Sequence, residues 1–267
     1  MLAVVHSSGF GQCEKCGLAQ PMSCESKCLD MTSLPGFRPE LLDFKRGIHV
    51  GNLEENERIT RILKLALESR YGQPFVTERW GRGVFWRWIG FLARANREAK
   101  PISSKVSFGC AKYFISLDPE ESVFKCGMQV ERGYLKAGRS DGGWQLQEDW
   151  DWNRMLAALR PRGKMEQEIR RLLHEGFHIF AGSWSEGEPL EQAKPGLSAV
   201  RLRRCLEQAP ARSWAGFQLF YPMGEEEVRS SAGPDLADSM LAIFDEVTPV
   251  MNLCMQIELR RAKGGDG

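Results

Sequence analysis

The sequence lacks the features that would place it in a membrane-bound or secreted class. No apolar run approaches the roughly 20 residues that a helix needs to cross a bilayer, so we expect no membrane association. The opening stretch MLAVVHSSGFGQ has neither a basic leader nor an apolar segment long enough for a secretory signal. We therefore expect a cytoplasmic location and reduced cysteines.

An excess of charge of one sign is also missing. The chain has 36 lysines and arginines against 35 aspartates and glutamates, which gives a formal net charge of +1. This balance excludes a protein that is basic throughout. Any nucleic-acid binding would need a local basic patch.

Nucleotide-binding and hydrolase signatures are either missing or out of context. The chain has no Walker-type phosphate loop and no dinucleotide fingerprint. GRSDG matches Gly-x-Ser-x-Gly, and Asp149 or Asp151 followed by His174 preserves the Ser, Asp, His order of α/β-hydrolases. A nucleophile elbow needs a buried strand before the serine and a helix after it, whereas GYLKA and a glycine pair flank Ser140. We interpret this stretch as a loop and the aspartates as first-turn helix residues, which the helix dipole favours.

What the sequence does contain predicts an α+β fold. Its 267 residues are 42% hydrophobic and 27% charged, as in ordinary globular proteins with a sizeable core. Helices come first, clustered strands follow, and both types then alternate, which favours a single domain with an antiparallel or mixed sheet packed by helices. We predict this domain over 34 to 262, after a Cys-rich tail or small metal knuckle at 1 to 33 and before a disordered C-terminus at 263 to 267.

Hydrophobic periodicity places the individual elements. The helix after the capping pair Asn52 and Glu55 should bury one face; this face carries Ile59, Ile62, Leu63, Ala66 and Leu67. The other predicted helices are PELLDF, about 83 to 98, DWNRMLAALR, Lys164 to about Glu175, VRLRRCLEQ, and Pro234 to about Arg261 with an interruption at Pro249. The predicted strands are KVSFG, KYFISLD, VFKCGMQVER, FHIFAG and GFQLFYP.

Three stretches resemble a known family. GFRPELLDF, SFGCAKYFISLDPEESVF and TPVMNLCMQ, in this order, resemble a family of conserved bacterial proteins of unknown function that open with a Pro-Glu-Leu-Leu-Asp-Phe helix. The sequence departs from that pattern at GNLEENERI, where a paired asparagine and a Trp-Phe are expected. The resemblance implies an α+β fold and assigns no catalytic residue.

The stretch HEGFH has the His-Glu-x-x-His spacing of zinc-dependent hydrolases. On a continuous helix, His174 and His178 would bind zinc and Glu175 would position the attacking water. Helical projection instead puts His174 on the solvent side, and Gly176 is typical of a residue that ends a helix. We predict that the helix ends near Gly176, that FHIFAG forms a strand and that the two imidazoles point apart. A zinc-dependent hydrolase is the alternative function.

The cysteines form two groups. Cys13, Cys16, Cys24 and Cys28 have the spacing C-x2-C-x7-C-x3-C, in which four thiolates could surround one zinc ion and supply folding energy to a short tail. An iron–sulfur cluster is a second interpretation. The third is an unstructured leader before an alternative start at Met31, without which the domain would fold unchanged. The remaining cysteines lie in apolar segments and should be buried: Cys110, Cys126, Cys205 and Cys254.

The most unusual composition lies between residues 79 and 105. This stretch holds seven basic residues, one acidic residue and five aromatic residues. On the predicted helix, an apolar face would be buried, and the outer face would carry Trp86, Arg87, Arg94 and Arg97. Basic and aromatic side chains together are typical of single-stranded nucleic-acid grooves and of protein-interface hot spots. We therefore predict a binding protein that uses this helix to bind single-stranded nucleic acid or a protein partner.

Overall fold

An antiparallel sheet organises the molecule, as seen in a computed structural model. The structure describes residues 36–100, 109–133, 149–186, 189–193, 196–211 and 213–262, all within one compact unit, Thr32–Gly267. The predicted tail at 1 to 33, the predicted strand KVSFG (all but Gly109), most of the predicted loop at 133 to 144 and the C-terminus at 263 to 267 lie outside these ranges.

The described residues form nine strands. They are β1 (Leu42–Asp43), β2 (Gly47–His49), β3 (Phe75–Arg82), β4 (Phe85–Ala93), β5 (Ala111–Asp118), β6 (Val123–Gly133), β7 (His178–Ser183), β8 (Leu190–Gln192) and β9 (Ala215–Gly224). The sheet order is β1-β2-β4-β5-β6-β9-β7-β8, and β3 also pairs with β4. Because β2 and β5 pair with successive stretches of β4 while β3 pairs along its whole length, β3 lies on the opposite side of β4.

Seven α-helices accompany the sheet in the described part of the chain. They are α1 (Ile59–Tyr71), α2 (Arg94–Glu98), α3 (Asp151–Ala158), α4 (Lys164–His174), α5 (Ala199–Gln208), α6 (Glu225–Ser230) and α7 (Gly233–Cys254). The α+β prediction with an antiparallel sheet is confirmed. None of these helices is long and apolar enough to cross a bilayer.

Helix α7 is the centre of the hydrophobic core. It contacts α1, α3 and α4 and packs on β5, β6 and β9. The ring of Phe244 on α7 stacks on that of Tyr113 on β5, with centroids 4.7 Å apart. The predicted buried face of α1 is confirmed, and Gly72 ends that helix in the left-handed conformation at φ 60°.

Several predicted boundaries were wrong. PELLDF forms a 3-10 turn (Pro39–Leu41) followed by β1 rather than an α-helix. Asn52 has φ 55° and does not cap α1, whose N-cap is Arg58. Helix α7 continues through Pro249 and ends at Cys254. The hydroxyl of Thr248 donates to the Phe244 carbonyl at 2.6 Å, next to the position where the proline lacks an N–H.

The helix predicted over 83 to 98 was also wrong, because residues 85 to 93 form β4 and only Arg94–Glu98 are helical. Ile89 and Phe91 face the helix-covered core, while Leu92 is buried on the other side of the sheet. A strand that is buried on both faces has an almost continuous apolar sequence, which periodicity does not distinguish from a buried helix.

Candidate functional site

The residues predicted to form one binding face lie at two ends of β4. Trp86 and Arg87 are near its start, whereas Arg94 and Arg97 are on α2 after its end. At 3.3 Å per residue, Trp86 and Arg94 are roughly 26 Å apart along the strand. The four side chains therefore do not form a single surface, and this part of the prediction was wrong.

A basic and aromatic surface is nevertheless present at the tip of the β3–β4 hairpin. Gly83, at φ 60°, begins the two-residue turn that joins Arg82 to its strand partner Phe85. A β-bulge between Trp80 and Gly81 twists the ribbon just before this turn. We define the hairpin surface by four exposed side chains: Arg79, Trp80, Arg82 and Arg87.

Trp80 differs from the other aromatic residues of the hairpin because its ring is open to solvent. It is 66% exposed, the highest value among the large hydrophobic residues of the described chain. The half-buried Trp86 has the Arg79 guanidinium 4.1 Å from its ring centroid. Phe85 is covered by Arg46 at 3.8 Å and by the His49 ring at 4.8 Å. The hairpin therefore carries one uncovered aromatic ring in addition to its exposed arginines.

The charges of the hairpin surface are not neutralised. In the part of the chain that the structure describes, none of the ion pairs involves Arg79, Arg82 or Arg87. The one carboxylate on β3, Glu78, forms an ion pair with Lys112 at 2.9 Å. The surface is therefore a local positive patch on a nearly neutral chain.

A buried ionic cluster holds the base of this hairpin to the sheet. The Lys112 ammonium, 1% exposed, lies 2.9 Å from Glu78 and 2.8 Å from Glu131. Burial alone would lower the pKa of Lys112, but the two carboxylates outweigh it and raise that pKa, so the ion pairs persist at neutral pH. Trp214 donates to Glu131 at 3.2 Å. Lys112, Glu78 and Glu131 lie on β5, β3 and β6, and Trp214 immediately precedes β9. The cluster therefore fixes the position of β3 in the sheet.

Trp88 belongs to this internal network rather than to the surface. Its indole N–H donates to the Gln129 side-chain oxygen at 3.1 Å, and Gln218 donates to the same oxygen at 2.6 Å. The ring lies against Gly90, where a β-carbon would meet it at 2.4 Å. Glycine is therefore required next to Trp88 for this packing.

The HEGFH stretch does not form a zinc-binding helix. Helix α4 ends at His174, Gly176 has φ 91° and His178 begins β7, so the predicted helix end is confirmed. His178 lies against Phe220 with ring centroids 5.9 Å apart. Burial and the nearby Lys125 charge lower its pKa. No group of three or more metal-ligand side chains occurs within the described ranges.

Three of the four described cysteines are buried in the core, as predicted. Cys110, Cys126 and Cys254 are buried and Cys205 is half-buried, and all four are free thiols. Burial raises the pKa of Cys110 to about 11 and also raises the pKa values of Cys126 and Cys254 well above the ordinary thiol value, so these three are not thiolate nucleophiles at neutral pH. Cys13, Cys16, Cys24 and Cys28 lie outside the described residues, and zinc binding there stays a prediction.

Asp151 has a structural role that its position in α3 did not reveal. Its side chain is fully buried and accepts hydrogen bonds from Asn96 at 2.7 Å and from the backbone N–H groups of Ala111 at 2.6 Å and Gln256 at 2.9 Å. The Lys100 ammonium lies 2.9 Å from the same carboxylate. Both oxygens bond to these four groups and neither bonds to the exposed His174, so the structure does not bring the two together as a catalytic pair.

A cavity of about 430 Å³ lies beside Pro249 in α7. Asp245 lines it, but one carboxylate oxygen pairs with Arg70 at 2.8 Å and Arg261 at 2.7 Å, and the other is buried. The side-chain amide of Asn252 donates a hydrogen bond to the Leu259 carbonyl and accepts one from the Leu259 N–H. The polar groups of this cavity therefore hold the last described segment of the chain on α7.

The comparisons with known proteins give no assignment. No model of a protein family matches the chain, and no curated protein matches it either. The family resemblance of the PELLDF stretch therefore stays a prediction, and the hairpin surface is the strongest candidate site on physical grounds.

Proposed function

We propose that this is a cytoplasmic binding protein that uses its hairpin surface to dock an acidic protein partner. The observation that carries the proposal is Trp80, an exposed ring on a hairpin that also carries three exposed arginines without an ion pair in the described structure. Tryptophan and arginine are the residues most enriched in protein-interface hot spots. The arginines supply attraction to an acidic surface, and the ring supplies apolar area to bury.

The geometry favours a protein over single-stranded nucleic acid. A nucleic-acid groove stacks successive bases on several rings and lines the backbone path with cations. On this hairpin, guanidinium groups already cover Phe85 and Trp86, which leaves Trp80 as the open ring. The cations of α2, which begins at Arg94, are too far from the tip to continue the path. A single exposed aromatic ring with charged residues near it is instead typical of a protein interface.

The test is a titration of the full chain with fluorescent poly(glutamate) and with oligo(dT) and oligo(U), at 50 and 300 mM salt. We expect poly(glutamate) to bind at low salt and to weaken as salt screens the arginines. Trp80→Ala should weaken that binding by about 2 kcal/mol, or roughly thirtyfold, as for a hot-spot residue. Trp184→Ala is the matched control, because Trp184 is also exposed, at 40%, and is not part of the hairpin.

Two variants that lose the same net charge distinguish the effect of the hairpin arginines from that of the overall charge of the protein. Changing Arg79, Arg82 and Arg87 together to glutamine should abolish poly(glutamate) binding. Changing three exposed arginines of α5 to glutamine alters the net charge equally and should leave binding within about threefold; these are Arg201, Arg203 and Arg204. Equal losses in both variants would overturn the proposal. Trp80-dependent binding of oligonucleotides without binding of poly(glutamate) would replace the protein partner by nucleic acid.

A further inference from the structure

Strand β3 forms one edge of the sheet. Among the described residues it pairs with β4 alone, and its eight residues span roughly 26 Å. The opposite edge strand, β8, has three residues. Short edge strands resist pairing with other chains, whereas a strand as long as β3 has backbone groups available for an added strand.

The ladder between β3 and β4 identifies which backbone groups point outward. The N–H of Arg94 donates to the Pro74 carbonyl at 2.9 Å, so this pair is directly hydrogen-bonded. Bonded and non-bonded pairs alternate in an antiparallel ladder, which turns the next residue, Phe75, away from β4. The N–H of Phe75 agrees with this alternation, because it donates to the Glu68 carboxylate at 2.9 Å.

Continuing the alternation along the regular part of β3 gives the rest of the pattern. Val76 and Glu78 point their N–H and carbonyl groups at β4, while Thr77 and Arg79 point theirs outward. The bulge comes after Trp80, so it does not interrupt this stretch. Thr77 and Arg79 are both exposed and therefore open to a partner's backbone.

We infer that β3 accepts an extended acidic segment of the partner protein as an additional strand, an inference that rests on the proposed function. Side chains alternate between the faces of β3, with Arg79 on one face and Trp80 on the other. An added strand would place acidic residues beside Arg79 and apolar residues beside Trp80. The ligand class is thus a segment with alternating acidic and apolar residues, in which backbone bonds give affinity and the alternate side chains give specificity.

A second copy of this chain does not fit the same edge. Pairing β3 with β3 would bring two sets of Arg79 and Arg82 together, while the carboxylate of β3, Glu78, is already paired with Lys112. Like charges directly opposite each other destabilise strand pairs. The arginines therefore select against self-association and in favour of an acidic strand.

The test uses a peptide that alternates glutamate and valine over ten residues, with the full-length chain. We expect it to bind, and we expect Thr77→Pro to weaken it at least about tenfold, because proline removes one outward N–H and obstructs the edge. An edge strand tolerates proline where the N–H faces solvent, so this variant should keep its melting temperature. Thr77→Ala keeps the N–H and should bind as the wild type does.

A second measurement does not depend on the stability of any variant. Two versions of the same peptide carry N-methyl groups on alternate residues, so that each version loses its backbone donors along one side and keeps its charge. We expect the version methylated on the side that pairs with β3 not to bind. If Thr77→Pro and both methylated peptides bind as their parents do, while Trp80→Ala still weakens binding, strand addition is wrong and the hairpin surface remains the docking site. If neither the peptide nor poly(glutamate) binds the wild type, the proposed function itself fails.

Discussion

Replacing Asp151 by alanine tests the buried polar network that joins distant parts of the chain. The carboxylate is fully buried and holds Asn96 of α2, the first residue of β5 and the backbone after α7, in addition to the Lys100 ammonium. The Lys100 side chain, 4% exposed, is also bonded to the Asn96 carbonyl at 2.9 Å and the Asn96 side-chain oxygen at 3.0 Å. Removing Asp151 leaves a buried cation without a counter-ion and two backbone N–H groups without an acceptor.

The expected loss follows from these contacts. Removing one partner of a buried ion pair costs about 3 to 5 kcal/mol. For a domain of this size, 1 kcal/mol corresponds to about 2 to 4 °C, so the melting temperature should fall by about 6 to 20 °C. Lys100→Met should cost less, because Asp151 then keeps its three N–H donors from Asn96, Ala111 and Gln256.

Urea unfolding followed by circular dichroism measures these differences. The control is Glu207→Ala, which removes an exposed ion pair with Arg203 at 2.8 Å and should change stability by less than about 1 kcal/mol. If Asp151→Ala destabilises the protein no more than Glu207→Ala does, the Asp151 network does not stabilise the fold as its buried contacts imply. The Asp151→Ala, Lys100→Met double variant gives the coupling energy of the pair directly.

Two further predictions concern pH and metal. Because burial and the Lys125 charge lower the folded-state pKa of His178 below its ordinary 6.5, the unfolded chain binds more protons, and stability should fall as pH drops through the range below 6.5. NMR titration should place the His178 pKa below that of His178 in the urea-unfolded chain, and His178→Gln should flatten the pH dependence of melting; an unshifted pKa would contradict this. If the N-terminal cysteines bind zinc, the purified chain should contain about one zinc per chain, and Cys13→Ser with Cys16→Ser should remove it. Zinc that survives this change but is lost in His174→Ala with His178→Ala would favour the HEGFH alternative.

The sequence by itself determined the elements that present one face to the core. The apolar stripe from Ile59 to Leu67 predicted α1, because this pattern records the surroundings of a single element. Gly176 indicated where α4 ends, since it adopts a positive φ that other residues avoid. These are local properties of the backbone and of one buried face.

Only the tertiary structure decided which surface the basic and aromatic residues form. Apart from Arg87, residues 85 to 93 are apolar or small on both sides of the strand, so their period did not separate a helix with a 1.5 Å rise per residue from a strand with a rise of about 3.3 Å. That difference moved Arg94 away from Trp86 and brought Trp80, which the helical projection had left out, to the centre of the candidate site. The Asp151 network was equally invisible, because Asn96 and Gln256 are far from Asp151 in sequence and meet it only when α2, α3 and the end of α7 pack together. Burial of a polar group depends on remote segments, and no local pattern records it.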